Sequence, residues 1–64
     1  MPGIAQKVRL FNEAFKLAQV RLSQRGIMVV GVTAERLGKN ISGLIEAGKV
    51  DADAIAKEAV ALIK

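Results

Sequence analysis

Five cations near the start of this 64-residue sequence, Lys7, Arg9, Lys16, Arg21 and Arg25, are its first candidates for chemistry. Wound on a helix, Lys7, Arg21 and Arg25 fall on one flank of an apolar stripe, and Arg9 and Lys16 fall on the other. Fixed cations on a single element are what contact with a phosphate backbone requires. The same placement has a plainer meaning, in which aliphatic stems lie over the edge of a packed helix and the charged heads stay in water. It would also suit a helix resting on an anionic membrane, which ranks third. The plainer meaning carries more weight, because a basic patch alone is only a footprint. The aromatic platforms of a single-strand binder are also missing: Phe11 and Phe15, the only aromatic residues, both belong to the stripe.

The remaining candidates are weaker. Lys39 precedes Ser42 by one helical turn, the only pairing that could activate a hydroxyl, but a Ser–Lys site needs a cleft that so short a chain hardly provides. Ser23 and Thr33 have no histidine to activate them, because the sequence contains neither His nor Cys. The usual acid–base side chain, the thiolate nucleophile and the commonest metal ligands are thereby excluded. Asp51 and Asp53 read as helix-cap residues, and Glu46 and Glu58 as isolated surface acids. Gly38 and Gly43 match neither a phosphate-cradling loop nor a dinucleotide fingerprint. They mark either a close approach to another backbone or tolerated helix glycines. The expectation is a non-enzymatic chain with no catalytic, metal-binding or cofactor-binding residues, no cofactor and no small-molecule substrate.

Charge and composition sharpen this. The formal net charge is +4, and residues 1–26 carry all of it, as five cations less one anion. Residues 27–64 balance five of each sign. Apolar residues make up 52%, mostly Ala, Val, Ile and Leu. At this size a domain buries only about 60% of its unfolded surface, and small cores usually lean on disulfides, metal or a partner. The longest apolar run, residues 27–32, has six members, against the roughly 20 that span a bilayer. With no signal-peptide pattern either, a cytoplasmic location is expected. A basic amphipathic start also resembles an organelle transit peptide, but cleaving it would leave too little chain to fold.

Three elements must position these residues within a single small helical domain spanning 1–64. Ile4, Val8, Phe11, Phe15, Ala18 and Leu22 recur at alternating spacings of four and three, which predicts a helix over about residues 4–25. Pro2 and Gly3 introduce it and Gly26 closes it. Residues 27–32 are β-branched like a strand, yet Ile27, Val30, Ala34, Leu37, Ile41 and Leu44 keep a helical period. Both readings, helix or short strand, stand for this stretch, and a strand would find its partner in a second subunit. A second helix is expected over 34–47, capped by Thr33 with Glu35 in its first turn. Gly48 ends it, with Val50 folding back towards Leu44 or Ile45. A third helix is expected over 52–63, capped by Asp51.

The second and third helices have the outline of a helix-turn-helix. The third, however, offers Lys57, Glu58 and much alanine where a reading helix presents Arg, Asn or Gln, so a plain αα-hairpin is favoured. The expected fold is an all-α three-helix domain. The expected function is assembly, as a homo-oligomer or against a larger protein, through surplus apolar faces. Ile4, Val8, Leu10, Phe11, Phe15 and Leu17 are the candidate contacts of the first helix, and Ala54, Val60 and Ala61 those of the third. The alternative is a small dimeric nucleic-acid-binding protein using Lys7, Arg9, Lys16, Arg21 and Arg25. Such plain small proteins are common among phage and mobile-element accessories.

Overall fold

The longest apolar stripe of the sequence produces the longest helix. A computed structural model describes residues 3–63, in which α1 spans Ile4–Gln24, α2 spans Val32–Glu46 and α3 spans Ala52–Ala61. The domain is all-α, with no strand among the described residues. Pro2, expected to introduce the first helix, lies outside the described residues.

Glycine ends both long helices as their sequences require. The Gly26 N–H donates to the Ser23 carbonyl and the Ile27 N–H to the Leu22 carbonyl, both at 2.9 Å, with Gly26 at φ 78°. At the end of α2 the Gly48 N–H reaches the Ile45 carbonyl at 3.0 Å and the Lys49 N–H reaches the Leu44 carbonyl at 3.1 Å. Each pair is a Schellman motif, whose αL position favours glycine. Val50, however, does not hold the position that the motif folds back towards Leu44 or Ile45. Lys49 takes the second position past the cap, and Val50 is 80% exposed. Asp51 caps α3 as expected, its Oδ1 accepting the Asp53 N–H at 3.1 Å.

The start of α2 departs from expectation. Gly31, at φ 57° and ψ −126°, takes the place assigned to Thr33, and its carbonyl accepts the Glu35 N–H at 3.1 Å. This backbone conformation is closed to residues with a Cβ, so the chain turns at Gly31 and Val32 is already helical. Residues 27–30 are neither helix nor paired strand. Ile27 and Val29 pack on the core while Met28 and Val30 face solvent.

The core consists of Ala14, Ala18 and Leu22 from α1, Leu37 and Ile41 from α2, and Ile55, Ala56, Ala59 and Val60 from α3. No polar side chain is buried among the described residues. α1 makes its most extensive contact with α3, and both helices supply small side chains to the core, Ala14 and Ala18 from one and Ala56 and Ala59 from the other. Such small side chains allow helix axes to approach towards the short end of the usual 8–10 Å. Asn40 crosses between helices, its Nδ2 donating to the Ala59 carbonyl at 3.5 Å. That carbonyl lies in the last turn of α3, where backbone acceptors lack helical partners.

α1 and α2 run antiparallel: Lys7, near the start of α1, meets Glu46 at the end of α2 at 3.9 Å, and a short connection joins their other ends. α3 has only 10 residues, about 15 Å of helix against about 31 Å for the 21 of α1. It therefore covers only part of α1. The fully buried residues of α1 begin at Ala14, and in the first two turns every side chain but the half-buried Leu10 is exposed.

Candidate functional site

The five cations of α1 do not form one open row. Lys7 pairs with Glu46, and Arg21 Nη2 lies 3.6 Å from Asp53 Oδ1, so one flank of the helix meets carboxylates carried by α2 and α3. Arg9, Lys16 and Arg25 make no ion pair among the described residues. Both observed pairs are largely exposed, a setting in which an ion pair contributes about 0–1 kcal/mol. They bias the side-chain positions without locking them.

The Lys39–Ser42 pairing gains nothing from the fold. Lys39 Nζ turns back one turn to Glu35 Oε1 at 3.9 Å. Ser42 lies instead along a shallow apolar depression with Ile4, Val8, Phe11 and Ile45. A larger groove of about 690 Å³ runs between the first half of α1 and the end of α2. Leu10 and Ile45 line it half-buried, among exposed Arg9, Glu13, Glu46 and Lys49. Charges of both signs line it, Lys7, Arg9 and Lys49 against Glu13 and Glu46, which gives no strong field for an anion or a cation. Among the described residues, no three carboxylates gather at one point.

What the fold does present is apolar surface in two places. The first is the start of α1, where Ile4 is 83% and Val8 53% exposed. These residues continue the core stripe beyond the reach of α3. Leu10, Phe11 and Phe15, from the same set of candidate contacts, are half-buried against the core, and Phe11 and Phe15 stack on each other at 5.9 Å. Leu17 is exposed on a second line of α1 with Val20. On α3 the candidates divide differently. Val60 is a core residue, 2% exposed, and is not available to a partner. Ala54 is half-buried, and Ala61 is exposed. Much of the surplus expected on α3 is absorbed, with Ile55, Ala56, Ala59 and Val60 buried, while Leu62 just past its end is 62% exposed.

The second place was expected as a contact only if residues 27–32 were a strand, which would then pair with a second subunit. Met28 is 75%, Val30 61% and Val32 65% exposed, in and just after the α1–α2 connection. Their β-branched run carried a signal, but the helical period through Ile27 and Val30 competed with it. Gly31 decides the matter by turning the chain before α2 begins. The two apolar places stand at opposite ends of α1, about 30 Å apart along its axis.

No helix among the described residues is long and apolar enough to cross a membrane. Comparison with known proteins finds no matching family model, no matching curated protein and no matching solved structure.

Proposed function

We propose that this chain is a non-enzymatic helical assembly protein that associates with further copies of itself, or docks on a larger protein, through exposed apolar surface. The observation that supports this reading most is the exposure of Ile4, Val8, Met28, Val30 and Val32. The core beneath them holds nine residues, four of them alanine. Monomers rarely leave contiguous apolar patches bare, and a core this small gains most from a partner that buries more. Mass action supplies the test, since association makes the melting temperature rise with protein concentration. A melting temperature that stays constant over about a hundredfold dilution refutes self-association.

The alternative, a dimeric nucleic-acid-binding protein, draws on Arg9, Lys16 and Arg25, the three α1 cations without a carboxylate partner among the described residues. It requires binding to duplex or single-stranded nucleic acid that weakens steeply with salt. No binding at low salt ends it.

A further inference from the structure

Residues 27–30 combine three features seldom left together on a finished surface. Their side chains alternate, with Ile27 and Val29 against the core and Met28 and Val30 in solvent, which is the two-residue period of a strand. Three of the four are β-branched or aliphatic types favoured in sheets, and all are uncharged. Among the described residues, the backbone N–H and C=O groups of Met28, Val29 and Val30 make no hydrogen bond. We infer that this segment is one strand of an intermolecular ribbon, pairing antiparallel with the same segment of a second copy about a two-fold axis at Val29. The inference rests on the self-association reading and specifies its contact.

The orientation and register follow from the chain itself. Directly opposed residues of an antiparallel pair point to the same face of the sheet. An outward residue must therefore face an outward one, and of the registers that allow this, the one that pairs both outward residues of each copy within the segment sets Met28 opposite Val30 of the partner subunit and Val29 opposite its own counterpart. The Ile27 N–H already donates to Leu22 at the end of α1. In a strand, N–H groups alternate between the two edges, so the edge bearing the polar groups of Met28 and Val30 is the free one. Each Met28–Val30 pair then exchanges two backbone hydrogen bonds, four across the ribbon.

Charge favours a second copy as occupant. Residues 26–34 contain no charge in a chain of net +4, so two copies can approach here with little repulsion. Arg25 and Glu35 flank the stretch with opposite signs. Antiparallel pairing brings each Arg25 towards the end bearing Glu35 of the partner subunit, whereas parallel pairing would set like charges side by side.

Met28→Pro tests this in the full chain. It removes an N–H that has no acceptor within the subunit, so the helices should keep their circular dichroism. Two of the four ribbon bonds are lost, and the solution mass should fall from two chains to one. The native sequence has no cysteine, so introduced ones report cleanly. A mixture of Met28→Cys and Val30→Cys chains should cross-link under air, because opposed Cα atoms of about 5.5 Å suit a disulfide. Either variant alone, or Val50→Cys as an exposed control, should cross-link far less. A native mass of one chain overturns both the inference and the self-association reading. A native dimer that survives Met28→Pro, or that fails to cross-link in the mixture, overturns the inference alone.

Discussion

Gly43→Ala provides a sharp test of how α2 sits on the surface. Gly43 lies inside α2, its φ is not positive, and a Cβ built on it meets nothing within 4 Å. The substitution adds no contact and removes none. What remains is backbone entropy: glycine in a helix interior is about 0.5–1 kcal/mol less favourable than alanine. Unfolding entropy of about 2.1 cal/mol/K per residue over 64 residues gives about 0.13 kcal/mol/K. The melting temperature should therefore rise by about 4–7 °C. Gly48→Ala, five residues on, is the matched control. Its φ of 96° is closed to alanine without strain, so the same chemical change should lower the melting temperature. Far-ultraviolet circular dichroism melts of both variants at one concentration read the two signs. A fall in melting temperature for Gly43→Ala would refute the reasoning, because something would then press on a face described as open.

Gly31→Ala should cost more than Gly26→Ala. Alanine can occupy the αL conformation at Gly26 for about 1 kcal/mol, whereas φ 57° with ψ −126° at Gly31 is nearly exclusive to glycine and costs up to about 3 kcal/mol; denaturant midpoints should rank the two variants. Leu22→Ala opens a cavity beneath a fully buried side chain, at about 2–5 kcal/mol. Total stability of about 0.05–0.15 kcal/mol per residue amounts to about 3–10 kcal/mol over 64 residues, so the variant should lose about half of it and its denaturant midpoint should fall accordingly. Asn40→Ala frees the Ala59 carbonyl but loses only a long bond of 3.5 Å, so a loss of about 0.5 kcal/mol is expected in chemical denaturation.

The elements were legible where periodicity and punctuation agree. The α1 stripe, Gly26, Gly48 and Asp51 each have one cheap conformation, and the chain adopts it at every one. The connection between α1 and α2 was not legible, because Ile27 and Val30 satisfy a helical period and a β-branched composition at once. The resolving residue, Gly31, acts through ψ, to which sequence patterns are blind. Ile4 and Val8 were expected as partner contacts and are exposed, but how they differ from Leu10, Phe11 and Phe15 was hidden for another reason. The stripe tells which face is apolar, but only the length of α3 tells how far along α1 that face is covered. Val60 illustrates the converse: an apolar residue on a helix that looked over-supplied is consumed by the core.

The central claim is self-association through exposed apolar surface, and sedimentation equilibrium across a wide micromolar range tests it most directly. The mass should approach a multiple of the 6.8 kDa chain as concentration rises, two chains if residues 27–30 form the contact. A mass that stays at a single chain up to the highest concentration contradicts it.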